Sequence, residues 1–166
     1  MRQKQPLQNR LVAGFLGVPL LVVLSPLIVI SVLSWLLYRI SLNLLIWCFW
    51  YPQGKFVLFV HSDSPVSQAY LQKNLLPIVK EHAVVLNWSE RKQWSRRSLA
   101  VRAFYSFGGR YDYNPLVVVF RPLRTARVFR FHRPFRDYKH GKPEQLERMS
   151  RELAQLVEQI SGEAIA

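Results

Sequence analysis

From Leu11 to Tyr51 the chain is almost unbroken apolar sequence, and Arg39 is its single charged side chain. A helix needs roughly 20 apolar residues to cross a bilayer core. The run therefore accommodates either a tight pair of helices or one generous crossing followed by an interfacial helix. In the paired arrangement, Ser25-Pro26 is a cap and first-turn proline, giving helices over 8–24 and 26–50, with Pro19 kinking the first. In the other, a kinked span runs from Leu11 to about Tyr38 and Ile40–Tyr51 lies in the interface. Arg39 then snorkels near a helix end. Trp47, Trp50 and Tyr51 form an aromatic belt in both.

The tail over 1–10 carries Arg2, Lys4 and Arg10 and no acid. It resembles the n-region of a signal peptide, but the apolar run far exceeds the roughly 7–15 residues of an h-region. The chain after Trp50 reads Tyr51-Pro52-Gln53-Gly54, without a small-x-small cleavage site. The expectation is a retained anchor over 11–51 and an integral membrane protein. A basic tail favours a cytoplasmic N-terminus. A hairpin would return the following domain to the cytoplasm and a single span would export it; the expectation is cytoplasmic.

Beyond the anchor the pattern changes to short apolar runs alternating with helical periods. Lys55–Val60 is a continuous apolar run, as expected of a strand covered on both faces. Ser64-Pro65 opens a helix reaching about His82, with Pro77 as a kink. Ala83–Leu86 is a second buried strand ending in Asn87-Trp88. Ser89 caps a basic helix from about Glu90 to Phe107, stopped by Gly108-Gly109. Pro115–Phe120 is a third strand, Pro122–Ala126 a turn, and Arg127–His132 a fourth strand pairing back on the third. A loop containing Pro134 and His140 leads to Pro143, which opens the last helix. There Leu146, Met149, Leu153, Leu156 and Ile160 step by threes and fours along one face.

The order β-α-β-α-β-β-α over 55–161 resembles the thioredoxin-like fold, a three-layer α/β domain. The strand end Val84-Val85-Leu86-Asn87 and the segment Tyr113-Asn114-Pro115-Leu116-Val117-Val118-Val119-Phe120 carry the likeness. The resemblance implies that Pro115 is a cis-proline beside the functional face. Where that family opens its first helix with Cys-x-x-Cys, this chain has His61-Ser62-Asp63-Ser64-Pro65-Val66. The resemblance thus implies a scaffold without thiol–disulfide chemistry, and fold likeness alone does not give function.

Cysteine usage agrees: Cys48 is the sole cysteine and lies within the apolar run. An intrachain disulfide and a thiolate-rich zinc site are thereby excluded. His61, His82, His132 and His140 show no paired-ligand spacing, so neither a metal nor another cofactor is expected. Charge adds a partner class. Of 23 Lys and Arg, 19 lie beyond Tyr51 together with all 10 acids, a surplus of nine. Such a surplus suits an anionic partner.

Two groups of candidate residues follow. The strand ends would gather His61, Ser62, Asp63, Asn87, Asn114 and Pro115 at one edge, where a helix N-terminus could receive an anion. A catalytic use of His61, Ser62 and Asp63 meets a geometric obstacle, because neighbours on a strand end point to opposite faces. The second group is basic. Arg121, Arg124, Arg127, Arg130, Arg133, Arg136, Lys139 and Lys142 recur at every third position with aromatics between them. Steps of three would align on a polyproline II edge, whereas on a strand they alternate faces. Arg96 and Arg97, near Trp94, would extend this surface. The leading expectation is a membrane-anchored, redox-inactive binding or assembly module, its basic surface facing membrane lipids or an acidic partner protein. An enzyme at His61/Ser62/Asp63 near Pro115 is the alternative. A membrane-tethered nucleic-acid binder is disfavoured, since no RNA-recognition, KH or helix-turn-helix signature is present. Oligomeric state is not fixed by these features.

Overall fold

One helix, α1, spans Leu7–Phe49. In the computed structural model the backbone is described for residues 7–63, 68, 70–109, 114–122 and 124–165, and side chains for 24–63, 68, 70–109, 114–122 and 124–162. The Ser64-Pro65 helix start, Tyr113 and the first residues of the basic tail lie outside these. Two compact units divide the chain, 1–40 and 41–166.

α1 runs as one helix through the positions where the sequence reading has a turn or a change of element. It neither turns back at Ser25-Pro26 nor breaks at Arg39. A proline inside a helix costs about 3 kcal/mol, yet the residues around Pro26 include no Gly, Asn or Asp to close a turn, so the helix continues. Arg39 does not interrupt it either, as its guanidinium lies 4.9 Å from the Trp35 ring centre, one turn earlier. The stretch Leu24–Gln53, most of it in α1, is long and apolar enough to cross a membrane, consistent with an anchor or signal sequence.

The second unit is α/β. Strands β1 (Val57–His61), β2 (Ala83–Asn87), β3 (Leu116–Val119) and β4 (Arg127–Arg130) form one mixed sheet in the order β2-β1-β3-β4. β1 and β2 are parallel, Val57 opposite Ala83 and His61 opposite Asn87. β3 runs antiparallel to both β1 and β4. Val57–Val60 and all of β3 are buried, as the continuous apolar runs predict for strands covered on both faces.

Alternation divides the core into two clusters. Val57, Phe59, Val117, Val119 and Phe129 pack with Leu71, Leu75 and Val79 and with the long C-terminal helix. That helix, α5 (Glu144–Ile165), buries Leu146, Leu153, Leu156, Val157 and Ile160, with Met149 half-buried. The stripe seen in sequence is its inner face. On the opposite sheet face, Leu58, Val60, Leu116 and Val118 pack with Ala100, Ala103, Phe104 and Phe107. Leu42, Ile46 and Trp50 join the same cluster. The last turns of α1, which the sequence assigns to the anchor, are thus part of the sheet domain. Each of these large apolar side chains contributes about 1.5–3 kcal/mol by leaving water.

Three further elements depart from the sequence reading. Pro77 lies in the first turn of a short helix, α2 (Leu76–Val79), directly after a π-helical turn at Leu71–Leu75. Proline has no N–H to donate, and the wider turn before it absorbs the missing bond. The basic helix over 90–107 is broken. A 3₁₀ helix covers Trp88–Gln93, Trp94 is extended, and α3 (Leu99–Ala103) runs into a π-helical turn at Phe104–Gly108. Here Asn87, not Ser89, is the cap, accepting from Ser89 N–H. The break lets Trp88, Trp94 and Phe104 pack mutually, with ring centres 5.4–5.6 Å apart. Finally, the fourth strand stops at Arg130, and the predicted Pro134 loop is a helix, α4 (His132–Lys139). Phe131 N–H donates to Pro115 O before the chain turns helical, and a proline is tolerated in a first turn, where N–H groups have no intrahelical acceptor.

Candidate functional site

The parallel pairing of β1 and β2 brings His61 and Asn87 side by side at their C-terminal ends. β3 enters at the same edge, with Leu116 opposite Val60 and Asn114-Pro115 immediately before it. The Asn114–Pro115 bond is cis. The topology therefore gathers His61, Ser62, Asp63, Asn87, Asn114 and Pro115 at one end of the sheet. Pro115 is buried, His61, Ser62, Asn87 and Asn114 are half-buried, and Asp63 is exposed.

The polar groups at this edge serve one another. Asn87 Nδ2 donates to both Asp63 carboxylate oxygens at 3.2 and 3.1 Å. Ser89 N–H donates to Asn87 Oδ1 at 3.0 Å, and Asp63 N–H donates to Ser89 Oγ at 3.0 Å. This closed ring ties the chain leaving β1 to the chain leaving β2. His61 stacks instead on Phe59, two residues back on the same strand face, with ring centres 5.6 Å apart. A relay would need the carboxylate to orient the imidazole and the imidazole to meet a hydroxyl. Asp63 directs its hydrogen bonds to Asn87 and Ser89, so the arrangement is a latch between two strand ends.

The basic series does not form one stripe. Arg121 donates from Nε and NH2 to Thr125 O across the β3–β4 turn. Arg127 pairs with Glu152 of α5 at 2.9 Å and lies 5.1 Å from the Phe129 ring centre. Arg130 belongs to the other sheet face and donates to Gly108 O at 3.0 Å. Strand alternation separates these two, as a step of three requires. Arg133, Arg136 and Lys139 remain together. They are exposed on α4, whose other side is anchored by buried Pro134 and Phe135. Arg136 approaches Asp137 at 3.9 Å. Arg96 and Arg97 are exposed on the segment between the 3₁₀ helix and α3.

One polar pair gives no signal in the sequence. His82 Nε2 lies 2.9 Å from Ser161 Oγ, and its Nδ1 lies 2.9 Å from Gly54 O. The ring stacks on Phe56 at 4.7 Å. Because His82 and Ser161 are 79 positions apart, no local spacing could reveal them. The pair fastens the end of α5 to the start of the sheet. Among the described residues, no three His, Cys, Asp or Glu side chains converge as metal ligands. Comparison with protein-family models, curated proteins and solved structures finds no match to this chain.

Proposed function

We propose that the chain is a membrane-anchored binding or assembly module, built on a redox-inactive thioredoxin-like domain that presents a basic face to an anionic partner. Support for the scaffold comes from the strand order, with β3 alone antiparallel. Its first parallel strand ends in His61-Ser62-Asp63 rather than a cysteine pair. A scaffold of this kind can hold a partner but has no cysteine pair at that strand end to exchange with it.

The observation that carries the binding role is α4. Arg133, Arg136 and Lys139 recur at steps of three on a helix of barely two turns, held to the core by Pro134 and Phe135. Their cationic groups are displayed on a fixed support, which suits an acidic protein segment or anionic headgroups. With α1 as a single crossing and the basic tail in the cytoplasm, the domain stands on the opposite side of the membrane. The proposal thus replaces the cytoplasmic placement that a hairpin would give.

Both halves can be measured on the full chain. In sealed vesicles of known orientation, protease should cut the domain from the face opposite the tail. Cleavage from the tail's own face would overturn the single-crossing topology. Reconstituted in phosphatidylcholine nanodiscs, the protein should bind polyglutamate with an affinity that falls as salt rises. The triple variant Arg133→Glu, Arg136→Glu, Lys139→Glu should weaken that binding at least about tenfold, some 1.4 kcal/mol. Unchanged affinity would remove α4 as the binding face.

A further inference from the structure

Beside the buried residues Leu42 and Ile46, the end of α1 borders a cleft of about 380 Å³ that Trp50 and Gln53 also line. Leu45 and Phe49 of α1, Val84 of β2 and Leu99 of α3 supply apolar wall, and Arg97 and Arg102 supply two guanidinium groups. This volume lies within the range of small-molecule sites, about 300–1,000 Å³. We propose that the cleft binds one anionic phospholipid, its phosphate between Arg97 and Arg102 and the start of an acyl chain along Leu45 and Phe49. The inference rests on the membrane-anchored reading but not on the basic face of α4.

Four observations favour that occupant. Leu45 and Phe49 belong to a stretch long and apolar enough to cross a membrane, so the wall they supply suits an acyl chain. They are 37% and 60% exposed respectively, although large and apolar. The two arginines stand on different local elements, Arg97 ahead of α3 and Arg102 within it, and guanidinium forks match phosphate oxygens. Among the described residues, no carboxylate lines the cleft.

The chemistry also discriminates among amphiphiles. A free sugar phosphate would engage the arginines and leave the apolar wall wet. A choline headgroup would bring its own cation towards two guanidinium groups. A glycerol headgroup on the phosphate has neither fault, so the expected ligand is of the phosphatidylglycerol class.

The test uses the full chain, extracted from bilayers of equal phosphatidylglycerol and phosphatidylcholine with matched acyl chains, and native mass spectrometry of the lipid it retains. One phosphatidylglycerol per chain should be held, at least tenfold over phosphatidylcholine. Arg97→Gln with Arg102→Gln should reduce retention at least tenfold, whereas Lys73→Gln with Lys80→Gln, removing the same charge at two exposed positions elsewhere, should leave it unchanged. Equal retention of the two lipids, or full retention by the Arg97/Arg102 variant, would overturn the proposal. Displacement of the lipid by millimolar glycerol phosphate would do so as well, reducing the site to one for a free anion. Should the arginine variant fail to fold, Phe49→Gln at the exposed wall decides instead, with tenfold loss expected and unchanged retention fatal. If carbonate extraction shows that the chain is not inserted, the anchor reading fails separately. Binding of short-chain phosphatidylglycerol in detergent then still reports on the cleft.

Discussion

Two stretches of one helix, similar in composition, have opposite surroundings. From Leu24 to Ile40 every side chain of α1 is exposed except the half-buried Arg39. From Ser41 onward the helix buries a residue every fourth position, with Leu42 and Ile46 each 1% exposed and Trp50, just past its end, 8%. Both stretches are apolar nearly all round, so periodicity does not separate them. What separates them is the presence of the sheet face formed by Leu58, Val60, Leu116 and Val118. An apolar helix can have lipid or protein as its solvent, and here it has a candidate for each.

Substitutions at matched positions would test this division most strongly. Ile46→Ala should cost the domain about 2–5 kcal/mol, as for other buried large-to-small changes. Ile30→Ala, at a side chain 59% exposed, should stay within about 0.5 kcal/mol. Urea unfolding in detergent micelles, followed by tryptophan fluorescence, would report both, and equal losses would erase the contrast. The converse change, Ile30→Asp, should leave domain stability alone yet raise the cost of membrane insertion by about 2.5–3.5 kcal/mol, seen as a larger carbonate-extractable fraction.

A smaller effect is expected at Gly108, where an added Cβ would come 2.8 Å from Leu116 Cδ2 and 3.1 Å from the Phe104 ring. Gly108→Ala should cost about 1–3 kcal/mol through overpacking. Phe104, Leu116 and Ile46 share one cluster, so its effect should not add simply to that of Ile46→Ala. Strict additivity in a double-mutant cycle would argue that the end of α1 is not part of this core.

The smallest changes sharpen the edges of the picture. Trp47 Nε1 is buried with no acceptor among the described residues. Trp47→Phe keeps most of the ring and removes a stranded donor, so unfolding should show it neutral or slightly stabilised, by up to about 1 kcal/mol. Arg127→Gln breaks an exposed pair with Glu152 and should cost no more than about 1 kcal/mol, less at high salt.

The candidate edge was legible where it depended on strand order. A short connection through a helix makes two strands parallel, and that alone sets His61 beside Asn87. The bonds among Asp63, Asn87 and Ser89 were not legible, because the residues after each strand choose partners only once both strands are placed. The basic series shows the same limit in another form. Its period of three is real in the sequence, but Arg127 and Arg130 diverge across the sheet while Arg133, Arg136 and Lys139 share a helix. The α4 helix escaped detection because Pro134 reads as a loop residue until it is seen to occupy a first turn.

The sequence by itself determined what depends on neighbours along the chain: a long apolar stretch with Arg39 its single charge, apolar runs that form the strands, and the stripe of α5. Only the tertiary structure decided that the last turns of α1, from Leu42, belong to the core of the sheet domain. It also decided which arginines stand together, and that Leu45, Phe49, Arg97 and Arg102 line one cleft. The reason is physical. Local pattern reports how much apolar surface an element carries, but burial is a relation between surfaces, and the partner surface comes from residues far away in the chain.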